Sequence, residues 1–272
     1  MAHLFNAKIF LLHVEEVRVY ASLLDEPVLL AGMEEIHETA EQKLYRVAGD
    51  TVKKYGVALC PLTVASRPAN GIAAAVKENE IDLIIMGTHG ASGFEEYFLG
   101  TNAHRVVNLA PCPVLTVQKF AKKVGFKNIV MPVDNDLHSR QKVNNVIELA
   151  TTYKSTVHIL GLLETDDEAI DEKKFEIKLD SVEDAIRHAN IPYTRKLVRG
   201  HNLAVEAMKY SEEVGGDMIV IMTGHESNLT GMFLGTIAKQ IVNHSKIPVL
   251  SIRPEETTIE IFVLTGGTGV II

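Results

Sequence analysis

Two patterns of apolar residues alternate along this chain. Short continuous apolar runs are followed by longer stretches in which apolar positions recur at helical spacing. The second half shows it most clearly. KNIVMPV is an apolar run of the kind a strand covered on both faces requires. HSRQKVNNVIELATTY follows, with Val143, Ile147, Leu149 and Ala150 at helical spacing. TVHILGLL is the next predicted strand. DEKKFEIKLDSVEDAIRHAN is an amphipathic helix carrying Phe175, Leu179, Val182 and Ile186 on one stripe. YTRKLVR, DMIVIM and IPVLSI are predicted strands, separated by the helices NLAVEAMKYSEEV and TIAKQIVNHS. Such alternation gives a parallel sheet with helices on both faces. With right-handed crossovers it is doubly wound, and its ligand crevice opens at the carboxyl ends of the strands.

The pattern is repeated within the chain. DLIIM at Asp82 matches DMIVI at Asp217, FLGT at Phe98 matches FLGT at Phe233, and CPVLTV at Cys112 matches IPVLSI at Ile247; every pair is 135 residues apart. One offset shared by three segments indicates two copies of one domain. The copies span residues 1–120 and 125–254, with a C-terminal extension over 255–272. The first copy starts late. NAKIFLLHVEE corresponds to KSTVHILGLLE, so nothing corresponds to the first strand and most of the first helix of the second copy. In a doubly wound sheet that strand is central, and an unpaired row of its neighbours' backbone groups is costly. Either the native protein is longer at its N-terminus or another segment fills the slot. One candidate is the strand-like IEIFVL of the extension, followed by the turn-forming Thr265-Gly266-Gly267.

The densest local signal is MGTHGASGFEEYFLGTNAHRVV, which leaves a predicted strand and enters a predicted helix. Glycine lets backbone amides approach an anion closely, and a helix N-terminus offers free N–H groups with a partial positive charge. Gly87 and Gly90 would form one wall, and Gly100-Thr101 would open the helix with the Thr hydroxyl as cap or phosphate donor. No Lys follows the glycines, so this is not a Walker P-loop, and neutral donors point to binding with at most slow turnover.

Gly87-x-x-Gly90, nine residues, then Gly100-Thr101 resembles the nucleotide motif of universal stress proteins. PVDNDLHSRQKVNNVIELA resembles that family's opening strand and helix, and FLLHVEE its second strand. The resemblance implies a tandem universal stress protein with two flavodoxin-like, five-stranded parallel sheets of order 3-2-1-4-5. It implies a stress-response protein binding ATP, ADP or AMP in the first domain, with Mg as an optional companion, as a sensor or regulator that is at most a slow ATPase. Gly87, Gly90, Gly100 and Thr101 match the family's phosphate and ribose contacts, and Val14 the backbone position that meets adenine. His89 joins them as a candidate phosphate neighbour, as does His104, although solvated histidines are the commoner finding in loops and helices. The family's acidic nucleotide partner has its one counterpart at Asp134, in the second copy. There the offset turns Gly87 into Met222 and Gly90 into His225, while Gly235-Thr236 survives. The second copy is therefore expected not to bind nucleotide in the family's manner. Gly235-Thr236 would serve as a helix cap, and Asp134 would cap a helix starting near Leu137.

Composition narrows the alternatives. A formal charge of −8 and a pI near 5.8, without a basic stripe, argue against nucleic acid or an anionic membrane as partner. Cys60 and Cys112 belong to no zinc pattern and read as two buried thiols in a reducing cytosol. A cytoplasmic protein is the expectation. The charged helix face around Glu34, His37 and Glu41 spreads its side chains too widely for a metal site, His13 reads as a core histidine, and Ser92 lacks a nucleophile elbow. Two further readings remain: a ligand-free scaffold whose last strands pair across a pseudo-twofold inside one chain or in a homodimer, and an enzyme whose chemistry leaves no visible motif.

Overall fold

A computed structural model describes residues 1–16, 26–88, 100–118, 125–136, 138–165, 172–223 and 235–254, with backbone alone over 26–38. Its helices are α1 (Ala2–Phe5), α2 (Glu26–Tyr55), α3 (Pro68–Glu78), α4 (Thr101–Leu109), α5 (Val143–Tyr153), α6 (Glu172–His188), α7 (Leu203–Glu213) and α8 (Thr236–His244). Its strands are β1 (Ile9–Glu16), β2 (Leu59–Ser66), β3 (Ile84–Gly87), β4 (Val114–Val117), β5 (Asn128–Val133), β6 (Thr156–Glu164), β7 (Tyr193–Gly200), β8 (Met218–Met222) and β9 (Val249–Ile252). Among the described residues no helix is long and apolar enough to cross a membrane.

Seven strands form one sheet in the order β3-β4-β9-β8-β5-β6-β7. From β9 to β7 every pairing is parallel, as the apolar runs of the second half require. β4 joins this sheet antiparallel to β9, with Leu115 directly opposite Leu250. These two leucines are each other's counterparts at the 135-residue offset, so the seam is symmetric about them. β3 lies beyond β4 and runs parallel to it.

Successive residues of a strand face opposite ways, so each face of the sheet carries its own core. On one face Val114, Val130, Ile219 and Val249 pack with Val106 and Val107 of α4, Ala207 of α7 and Ile241 of α8. On the other, Leu115, Ile129, Met131, Val220 and Leu250 pack with α5 and with the stripe Phe175, Leu179, Val182 and Ile186 of α6. Each core draws on both repeats, because the seam places their last strands side by side. The start of β5 is pinned by Asp217, whose carboxylate accepts hydrogen bonds from the backbone N–H of Lys127 at 2.8 Å and of Asn128 at 3.0 Å.

The first repeat is less enclosed. β1 and β2 pair parallel in a two-stranded sheet of their own, and no described strand stands between β1 and β3. The consequence shows in burial: Ile85 is 57% exposed, whereas its counterpart Val220 is 0% exposed under α5 and α6. For the same reason His13 of β1 is exposed and is not the core histidine that its strand position suggests. Cys60 and Cys112 are half-buried free thiols, not fully buried ones, and burial raises the Cys112 thiol above its ordinary value. The extension over 255–272 lies outside the described residues.

Candidate functional site

In the first repeat, β3 ends at Gly87 and the chain returns at Gly100, the residue before α4. The two ends are closed by a 2.7 Å hydrogen bond from the Gly100 N–H to the Thr88 carbonyl. Thr88 is itself fixed by a 3.2 Å bond from its N–H to the Val117 carbonyl of β4. A Cβ on Gly100 would lie 3.2 Å from the Thr88 oxygen, tighter than ordinary contact, so glycine suits this closure. Thr101 is the first helical residue rather than the cap, and among the described residues no side chain caps α4. The free amides at this helix start therefore stand beside the carboxyl end of β3. His104, one turn on, has its pKa lowered by burial and by the nearby cations Lys239 and Arg105, which favours the neutral ring. Val14 lies near the carboxyl end of β1, in the separate two-stranded sheet. Gly87, Gly100 and Thr101 are thus brought together, Val14 shares no sheet with them, and His89, Gly90 and Ser92 lie outside the described residues.

The second repeat holds a cavity of about 360 Å³ at the carboxyl ends of β5, β6 and β8. Asp134, Asn135 and Asp136 come from the turn after β5, Glu164 from β6, Met222 from β8, and Gly235 and Ile237 from the start of α8. Leu162, Leu203, Ile221, Ala238 and Ile241 make its wall largely apolar. The turn is built from two successive Asx bonds: Asp134 Oδ1 accepts from the Asp136 N–H at 3.1 Å, and Asp136 Oδ1 accepts from the His138 N–H at 2.7 Å. These turns delay the helix, which opens at Val143 and not near Leu137, a residue outside the described set. Asp134 therefore caps a turn and not the helix itself. Likewise Gly235-Thr236 provides no side-chain cap for α8.

One cavity residue was not singled out by sequence. Lys142 is 1% exposed, and its ammonium donates to the Ser139 carbonyl and, at 3.3 Å, to the Ser139 hydroxyl. Burial lowers its pKa to about 8, against the opposing pull of Asp134 and Asp136. Among the described residues neither carboxylate forms an ion pair with it. A signal existed: Lys142 precedes Val146 by four residues and Leu149 by seven, on the buried stripe of α5.

The family model of the universal stress protein family matches residues 1–118 and 125–253. The chain belongs to that family. Two universal stress protein segments thus stand in tandem. The chain is 32% identical over 119 residues to Universal stress protein MJ0531 of Methanocaldococcus jannaschii, covering 44% of this chain and 69% of that protein. It is 34% identical over 76 residues to Universal stress protein YxiE of Bacillus subtilis, covering 28% of this chain and 51% of that one. Among solved structures, a universal stress protein from Archaeoglobus fulgidus superposes with a TM-score of 0.71 at 19% identity, covering 90% of this chain and 87% of that chain. This likeness shows the fold, an alternation of helices and mostly parallel strands of the universal stress protein kind.

Proposed function

We propose that this universal stress protein binds an adenine nucleotide, ATP, ADP or AMP, in its first repeat and acts as a sensor or regulator with at most slow hydrolysis. One observation carries the reading: the start of α4, which has no side-chain cap among the described residues, is held against the end of β3 by the Gly100 to Thr88 bond. Free amides at a helix start favour phosphate, and Gly87 leaves them room. The same reading assigns Gly90 and His89 to the phosphate and Val14 to the base. The first domain spans residues 1–120 and the second 125–254. In the second, Met222 stands where Gly87 stands in the first, and the side chain opposes close approach of a phosphate. The antiparallel seam at Leu115 and Leu250 supports reading the two domains as an intramolecular counterpart of a dimer. That seam also supports a second reading, a regulatory scaffold that transmits a signal between the repeats without nucleotide.

Equilibrium titration of ATP and of AMP into the full chain separates the two. The nucleotide reading expects saturable binding that Gly100→Val weakens at least about tenfold, since the added Cβ would crowd the Thr88 carbonyl at 3.2 Å and push the helix start from the end of β3. Absence of saturable binding by either nucleotide, or a Gly100→Val variant that binds like the wild type, favours the scaffold.

A further inference from the structure

Among the described residues, the first repeat keeps both flanks of a sheet with no strand between them. β1 pairs with β2 in the register that β6 keeps with β7: Ile9 is opposite Leu59 as Val157 is opposite Tyr193. β3 pairs with β4 as β8 does with β9: Ile84 is opposite Val114 as Ile219 is opposite Val249. In the second repeat the six-residue β5 stands between these flanks, parallel to β6 and to β8. In the first, α3 packs against β1, β2 and α4, which ties the two flanks together across one face. A strand edge with open N–H and C=O groups is a ready template for one more strand. The edges of β1 and β3 that lack a described partner are two such templates.

We propose that residues 259–264, IEIFVL, dock between β1 and β3 of their own chain as a strand parallel to both. Direction supports this occupant. β9 runs antiparallel to β4 with Ser251 opposite Val114, and Val114 is opposite Ile84. The chain therefore leaves β9 at the sheet edge where β3 begins, which is the edge a strand parallel to β3 must enter from. Reach supports it as well. Three strand spacings, about 14 Å, separate β9 from the position beyond β3. The five residues from Pro254 to Ile259 extend to about 17 Å. IEIFVL equals β5 in length and is rich in strand formers. Its alternation fits the two faces. In the register of β5, Ile261 takes the place of Val130 and faces the side closed by α3 and α4, where Ile84 is buried. Glu260 takes the place of Ile129 and faces the side on which Ile85 is 57% exposed, so its carboxylate keeps its water. Thr265-Gly266-Gly267 then turns at the carboxyl edge of the sheet. The proposal does not depend on the nucleotide reading.

Amide hydrogen exchange of the full chain, read by mass spectrometry on peptides covering β1 and β3, tests the docking. Three variants are compared with it: a chain ending at Pro254, Ile261→Asp and Glu260→Lys. Peptides covering β6 and β8 report whether each variant keeps its second repeat folded. The proposal expects β1 and β3 to exchange at least about tenfold faster in the shortened chain and in Ile261→Asp, with β6 and β8 unchanged. Glu260→Lys should exchange like the wild type, because that side chain faces water. Protection in the full chain should survive about hundredfold dilution, as a contact within one chain must. Equal exchange of β1 and β3 in the full and shortened chains would overturn the proposal. So would equal damage by Glu260→Lys and Ile261→Asp. Protection that is lost on dilution would assign the strand to a second copy of the chain and overturn it too.

Discussion

Replacing Lys142 by methionine is expected to stabilise the ligand-free protein. The side chain is 1% exposed, and burial holds its pKa near 8 against an ordinary 10.5. A folded-state pKa below the unfolded one means that the folded chain binds protons less tightly, so the charged lysine opposes folding. The penalty is fully present below about pH 8 and fades as pH rises from there towards 10.5, where the unfolded chain also loses the proton. The difference corresponds to about 3 kcal/mol at pH 7. Loss of the bonds to Ser139 takes back about 1 kcal/mol, leaving a net gain of about 2 kcal/mol for a methionine of similar shape. Urea unfolding of both proteins at pH 7 and near pH 10 checks the size and the trend. The gain should shrink at the higher pH. A variant less stable than the wild type at pH 7, or a gain that grows with pH, would mean that the ammonium is well compensated.

The second large effect concerns the seam. Leu250 is 5% exposed and Leu115 3%, and they face each other where the two repeats join. Glutamate at 250 would remove a core side chain and bury a carboxylate with no described cation to meet it. The expected loss is about 4 kcal/mol or more, a large share of a typical domain's stability. Ile177→Glu on the outer side of α6, where isoleucine is 66% exposed, should change stability by only about 0.5 kcal/mol. Urea midpoints of the two variants decide the matter. If Leu250→Glu costs no more than Ile177→Glu, the seam is not a structural joint.

How far the sequence could be read depended on how completely each segment is enclosed. Phe175, Leu179, Val182 and Ile186 could be read as one stripe because α6 buries all four against β6 and its neighbours. β5, β6, β8 and β9 were visible as apolar runs because helices cover both of their faces. In the first repeat the same patterns are present, but Ile85 and His13 are exposed, since periodicity records what a residue can bury and not whether its partner is there. Lys142 was hidden by its chemistry. A lysine at the edge of a helix is ordinarily solvated, and only its spacing from Val146 and Leu149 marks it as inward. The Asx turns that displace the start of α5 were likewise missed, because Asp134 reads equally well as a helix cap.

The claim on which the functional account turns is that the first repeat, and not the second, holds a nucleotide. A crystal structure of the full chain soaked in millimolar ATP addresses it directly. The account predicts nucleotide density with the phosphates against Gly87, Gly100 and Thr101. Nucleotide confined to the cavity beside Met222 and Lys142, with none at the start of α4, would contradict it.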